Sequence, residues 1–409
     1  MTNLLWPGDH RAGDMMSDAA LLQAMVAVEA AWLTALSEAG VAPGECVGVD
    51  LRRLVRPEDA ATLAASAEAG GSPVIGVVGL LRARAGGQAA QWIHRGLTSQ
   101  DVLDTALMLA LRGVASRIRT ELAQQLTTLC DLAEQHRDTP MVARTLTQHA
   151  LPITFGAKAA NWLDGVAEAY QRLIALTTPI QIGGAAGTLA AATELAILVG
   201  TPADVAQQLV QKSAIALGLT SRRPWHTTRA PVSGAADTLV CCTDAWGRIA
   251  ADVVTLSRPE IGELTEPSGD GRGRSSTLPG KRNPVLAILI RRAALAAPPL
   301  AATLHTAAVL ANDERPDGAW HAEWDTLRIL ARRTVVAASQ CTELLRGLAV
   351  HTEQMAHNLA RADVPGEQQA IADLVGTQPS ATYFGSIGVL IDQSARRARQ
   401  LLDDTRTDD

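Results

Sequence analysis

The sequence predicts an all-α fold, and three observations carry that prediction. From Asp101 onward, Leu107, Leu111, Val114, Ile118, Leu122, Leu126 and Leu129 recur at steps of three and four, which places them on one helical stripe. Aromatics are 3% of the chain although 47% is hydrophobic, so alanine, leucine and valine must fill the core. Small aliphatic side chains let helices approach closely. No stretch alternates strictly between apolar and polar residues, so strands are expected to be scarce.

Taken in order, the helices are expected at Ser17–Ala39, from Thr98-Ser99 to about Gln135, and at Pro152–Thr177, Ala203–Leu217, Ala235–Leu256, Pro284–Leu310 and Trp324–Leu348. Thr98 and Ser99 are suited to cap the second of these, with Asp101 favourable in its first turn. Pro298-Pro299 is expected to kink the Pro284–Leu310 helix. Breaks fall at Gly183–Gly187, at Ser221–Pro231 and in the glycine-rich run Ser268–Asn283. At 409 residues the chain exceeds the usual size of one core. The division expected is an N-terminal helical domain at 1–100, a central long-helix bundle at 101–348 and a short C-terminal helical domain at 349–409.

A formal charge of −6 argues against a nucleic-acid partner, so an anionic substrate would need local arginine and lysine clusters. Five cysteines with no Cys-x-x-Cys spacing suit a reduced, cytoplasmic protein. Residues 1–14 lack the apolar core of a secretory signal, and no unbroken apolar run reaches the length of a membrane span, so no membrane association is expected. There is no His-Glu-x-x-His, no Walker loop, and no Gly-x-Gly-x-x-Gly after a strand. Neither metal nor cofactor is expected, and side chains alone must do the chemistry.

Three polar stretches are candidates for it. In Gly271–Pro284, four glycines from Gly269 to Gly280 loosen the backbone, while Arg272, Arg274, Lys281 and Arg282 oppose only Asp270. Ser275 and Ser276 in such a cationic loop, beside a helix start, suit carboxylate binding or alkoxide stabilisation; a solvated linker is the plainer alternative. In Trp92–Thr105, Thr98, Ser99 and Gln100 lead into the long helix and offer an anion grip or a plain cap, with His94 close by. In Ala143–Gly156, Arg144, Thr145, Gln148 and His149 precede an apolar helix; His149 suits a general acid near neutral pH, and a polar helix cap is again the alternative. Arg315, in a turn between two helices, suits a carboxylate clamp or a pairing with Glu314 or Asp317.

Together these stretches resemble a known family. Gly273-Arg-Ser275-Ser-Thr-Leu-Pro-Gly-Lys281-Arg-Asn283-Pro is similar to the signature loop of the fumarase/aspartase superfamily, Gly-Ser-Ser-x-Met-Pro-x-Lys-x-Asn-Pro. His94–Asp104 and Arg144–Phe155 resemble its first and second conserved regions, in the expected order. The resemblance implies an all-helical homotetramer with a twenty-helix core and active sites shared between subunits. It also implies a lyase acting on a small anionic polycarboxylate. Ser275 is the implied base that takes a proton from the carbon next to a carboxylate, and Lys281 and Asn283 the implied holders of that carboxylate. His149 and His94 remain the further candidate catalytic groups, and Thr98, Ser99, Thr145, Gln148 and Arg315 the candidate substrate contacts.

Within the superfamily, residues 17–25, 98–105, 144–150 and 183–190 look most like bacterial 3-carboxy-cis,cis-muconate cycloisomerases. The expected activity is therefore cycloisomerisation of 3-carboxymuconate; the alternatives are another elimination, adenylosuccinate-like or nitrosuccinate-type, that releases fumarate, or a non-catalytic relative. The departures are Leu146 where fumarases carry histidine, Arg274 for a small residue, Leu278 for methionine, and Gly280 where many relatives have histidine or glutamine.

Overall fold

The computed structural model describes residues 3–269, 271–362 and 366–407. Helix dominates, and strand is confined to two antiparallel pairs among the described residues. The expectation of an all-α chain is met. The chain divides into two compact units, each drawn from three separated segments: residues 1–116, 176–237 and 299–333 in one, and 117–175, 238–298 and 334–409 in the other.

The first unit is organised around Asp18–Glu38, which starts where Ser17 Oγ accepts the Ala20 amide at 3.1 Å. Val26, Trp32, Leu33 and Leu36 are buried almost completely along it. Each such side chain contributes about 1.5–3 kcal/mol by leaving water. The helices Pro73–Ala85 and Pro202–Leu217 both place proline in the first turn, where its missing N–H costs nothing.

In the second unit, helices lie close because their contacts are small residues. A Cβ on Gly156 would sit 2.6 Å from the Ala133 carbonyl oxygen, and one on Gly247 would sit 2.6 Å from Ala294 Cβ. Ala133, Ala159, Ala160 and Ile391 form one buried cluster there. Phe155 packs edge-on to His136 and to Trp162, with centroids 5.3 and 5.7 Å apart. Buried polar groups are paired: Trp246 Nε1 donates to Gln125 Oε1 at 2.7 Å, and Gln125 Nε2 donates to the Ala338 carbonyl and Thr342 Oγ1.

The long helix spans Ser99–Gln135, and its seven stripe residues from Leu107 to Leu129 are all buried. Other helices also match their expected positions: Ala230–Leu256, Val285–Val309 and Gly318–Arg346. The Val285–Val309 helix continues through Pro298-Pro299. Asp18–Glu38 and Val285–Val309 each hold a window with a mean hydropathy of 1.6 and are apolar enough by length and composition to cross a membrane, with 67% and 33% of that window buried. In both, polar residues such as Glu29 and Arg291 keep any unbroken apolar run well short of a membrane span.

One region differs from expectation. Residues 140–154 form a β-hairpin, β1 (Pro140–Thr145) and β2 (Gln148–Thr154), rather than a polar lead-in to a helix at Pro152. The helix begins at Phe155, where Thr154 Oγ1 accepts the Ala157 amide at 3.2 Å. The strands turn at Leu146 and Thr147, both in the left-handed region with φ of 48° and 73°. Two positive-φ residues match the twist of a tight hairpin.

Candidate active site

Each unit carries its own cluster of polar residues. In the first, Thr98 precedes the long helix, and Asp101 Oδ2 accepts its amide at 3.0 Å, the reciprocal arm of a capping box. Asp101 does more than cap. Its carboxylate also accepts the Gly183 amide at 2.8 Å, the Gly184 amide at 2.9 Å and Gln181 Nε2 at 3.1 Å. It thereby ties the Gly183–Gly187 turn to the helix start. Gly183 has no space for a side chain, since a Cβ would lie 2.5 Å from His226 Cε1. His226 is buried, with Nε2 3.0 Å from the Gly184 carbonyl oxygen.

Onto this rigid platform Arg315 donates from Nη2 to the Thr98 hydroxyl and, at 3.3 Å, to the Ala185 carbonyl. Its Nε is buried without a hydrogen-bond partner. Arg315 therefore pairs with neither Glu314 nor Asp317 among the described residues, and the structure brings it together with Thr98. Ser99 forms the first turn of the helix. His94 adopts a left-handed backbone with φ 66°, and its Nδ1 lies 2.6 Å from Glu29 Oε1. Glu29 is fully buried, so the ring is held by a carboxylate.

Behind the Asp101 platform lies an ion cluster that the sequence did not suggest. Arg229 reaches Asp104 Oδ2 at 2.7 Å and Glu323 Oε2 at 2.5 Å, and Trp320 Nε1 donates to Asp104 Oδ1 at 2.9 Å. Burial opposes the charge on Arg229, but the two carboxylates outweigh it and raise the guanidinium above its ordinary value. The only local signal was Asp101 and Asp104 inside a buried helical stripe.

In the second unit, Arg144 on β1 donates to both oxygens of Glu263, at 2.7 and 3.0 Å, and Asn358 Nδ2 donates to Glu263 Oε1 at 2.7 Å. Arg144 thus anchors the hairpin. Thr145, Gln148 and His149 are exposed near its tip, Thr145 opposite Gln148 and Arg144 opposite His149. Leu146 at the turn is 95% exposed. Among the described residues no hydrogen bond joins these hairpin side chains to the glycine-rich loop.

That loop is closed at its base. Both the amide and Nδ2 of Asn283 donate to the Gly273 carbonyl, at 2.9 and 3.2 Å. Gly273 needs its φ of 70°, and a Cβ there would lie 2.5 Å from the Asn283 carbonyl oxygen. Inside the ring, Ser275 Oγ accepts the amides of Thr277 at 3.3 Å and Leu278 at 3.1 Å. Two converging N–H groups on one hydroxyl oxygen favour its negative form. Lys281 is exposed, and its amide donates to the Leu278 carbonyl at 3.0 Å. Asp270 lies outside the described residues. Beyond Pro284, Glu266 accepts the amides of Leu286 and Ala287, both at 3.1 Å, and so caps the next helix. Burial pushes its carboxyl up, against the pull of those amides.

Among the described residues no three His, Cys, Asp or Glu side chains converge as a metal site would require.

A family model described as a lyase matches residues 59–297. The chain is 46% identical to a nitrosuccinate lyase of Streptomyces davaonensis, over 86% of this chain and 75% of that protein. It is 40% identical to a 3-carboxy-cis,cis-muconate cycloisomerase of Bradyrhizobium diazoefficiens, over 84% of this chain and 75% of that one. The crystal structure of the 3-carboxy-cis,cis-muconate lactonizing enzyme of Pseudomonas putida superposes with a TM-score of 0.84 at 30% identity, covering 95% of this chain and 97% of that chain. The chain belongs to the lyase family of the fumarase/aspartase superfamily and is one of its enzymes.

Proposed function

We propose that the enzyme removes a proton from the carbon next to a carboxylate with Ser275 as base, and that it interconverts 3-carboxy-cis,cis-muconate and 4-carboxymuconolactone. The observation that carries the catalytic part is the pair of amides, from Thr277 and Leu278, on Ser275 Oγ. In the lactone-opening direction the proton passes to Ser275 Oγ. The C–H electron pair becomes the new C=C bond, and the ring C–O pair leaves on a carboxylate oxygen, which needs little protonation. That suits Leu146, a side chain without an ionisable proton, where fumarases carry histidine. Lys281 and Asn283 hold the carboxylate and the dianion that forms as the proton leaves. Arg315, Thr98 and Ser99 take a second carboxylate, and Thr145 and Gln148 hydrogen-bond the substrate. His149 serves as the acid, with His94 oriented by Glu29 as a further proton-bearing group. The reading includes a cytoplasmic homotetramer with sites shared between subunits, in which exposed Ile288 and Leu295 are covered.

A second substrate has a specific observation in its favour, the 46% identity to a nitrosuccinate lyase. There the same proton leaves, the C–N bond breaks, and nitrite and fumarate are released. Incubation with each substrate separates the two: diene absorbance follows the muconate, and nitrite release follows nitrosuccinate. Release of nitrite with no change in the diene signal rules out the cycloisomerase. Ser275→Ala lowers turnover of the accepted substrate by about 10²–10⁴-fold while light scattering shows the wild-type assembly; unchanged turnover removes Ser275 from the mechanism.

A further inference from the structure

Arg274 stands directly before Ser275, where the superfamily signature has a small residue. An antiparallel bridge pairs it with Arg282 across the neck of the loop. Residues directly opposite in such a pairing have Cβ atoms about 5 Å apart, and like charges there destabilise one another. Both arginines line a cavity of about 370 Å³, together with Thr265, Ser268 and Asn283.

The other charged groups in that cavity are already engaged. Arg272 is held by Glu343 at 2.5 Å. The Glu266 carboxylate is occupied by the amides of Leu286 and Ala287. Arg282 Nη1 donates weakly to the Pro279 carbonyl at 3.4 Å, and among the described residues no carboxylate pairs with Arg274 or Arg282. Two exposed guanidinium groups thus share one concavity, with serine and threonine hydroxyls beside them and, among the described residues, no carboxylate paired with either.

We propose that Arg274 and Arg282 form a specificity site for an oxyanion, a carboxylate or phosphate group gripped between the two guanidinium forks. Paired N–H donors from two arginines suit the planar or tetrahedral array of such an anion better than a lysine would. The anion comes either from a further carboxylate of the substrate or from a free inorganic ion, and its binding removes the repulsion across the loop neck. The site adds to the roles proposed for Ser275, Lys281 and Asn283 and does not depend on them.

The test is thermal unfolding of the full-length enzyme with inorganic phosphate or tricarballylate, each against sodium chloride of equal ionic strength. The expected result is a saturable rise in Tm in the wild type, with apparent affinity weakened at least about tenfold in Arg274→Gly and in Arg282→Gln. Arg274→Lys keeps part of the rise, which separates lost anion binding from a collapsed loop. Competition between phosphate and tricarballylate assigns the site to a substrate carboxylate, and independent binding assigns it to a free ion. Rises no larger than with sodium chloride, or equal rises in wild type and both neutral variants, overturn the proposal. Because the readout is not turnover, failure here leaves Ser275 untouched, and an inactive substrate leaves this site untouched.

Discussion

Asp101→Asn tests whether one carboxylate holds the first polar cluster together. The Asp101 side chain is fully buried and accepts four hydrogen bonds, two on each oxygen: Gln181 Nε2 and the Gly183 amide on Oδ1, the Thr98 and Gly184 amides on Oδ2. Asparagine fills the same volume but has one oxygen. Whichever way its amide is turned, an NH₂ group then faces two N–H donors, and two buried donors lose their acceptor. Each orphaned donor costs about 1–3 kcal/mol, so the variant is destabilised by about 2–6 kcal/mol. At about 2–4 °C per kcal/mol for a unit of this size, Tm falls by roughly 4–24 °C. Differential scanning calorimetry of the assembled enzyme measures the shift, with Thr98→Ala as a control that removes only the hydroxyl used by Arg315. An Asp101→Asn variant melting within about 2 °C of wild type would refute the role given to this residue.

Two further outcomes follow from close contacts and burial. Gly273→Ala forces a Cβ to within 2.5 Å of the Asn283 carbonyl oxygen at a φ of 70°, so kcat/KM is expected to drop about tenfold or more with little change in Tm; an active variant with wild-type kinetics would count against loop closure at this point. Burial lowers the pKa of His136, which packs edge-on against Phe155. The unfolded chain then binds more protons than the folded one between the depressed pKa and the ordinary value near 6.5, so stability is lost as pH falls through that window. Urea midpoints at about pH 5.5 and 7.5 should differ less in His136→Gln than in wild type, and identical differences would exclude His136 as the titrating group.

How much of this was legible in the sequence depended on the range of the interaction. The Ser99–Gln135 helix was readable because its stripe, Leu107 to Leu129, and its cap, Thr98 with Asp101, all lie within one element. The Gly183–Gly187 break was readable for the same reason, although its cause, the carboxylate of Asp101 and the ring of His226, was not. The hairpin was missed because its turn uses Leu146 and Thr147 at positive φ, without the Asn-Gly or Asp-Gly pair that normally announces such a turn. Glu29 beneath His94, and Arg229 between Asp104 and Glu323, join residues 65 to 125 positions apart. No local pattern records pairings of that range. The Ser275 loop was found by composition and by its resemblance to a signature, but the two amides on its hydroxyl and the bond from Asn283 to Gly273 are matters of geometry.

The Asn283–Gly273 closure bears on how the loop can vary. The two residues are ten positions apart and already joined through one carbonyl, so the entropy of bringing the ends together is lost on folding and not on ligand binding. A ligand orders only what lies between them. Loop-closure entropy grows with the logarithm of length, about 0.6 kcal/mol for each doubling. Insertions in the stretch from Thr277 to Gly280 are therefore cheap for the fold, while they change how far Ser275 and Lys281 reach. What these side chains can reach can drift through the length of a tethered segment, with the residues themselves unchanged.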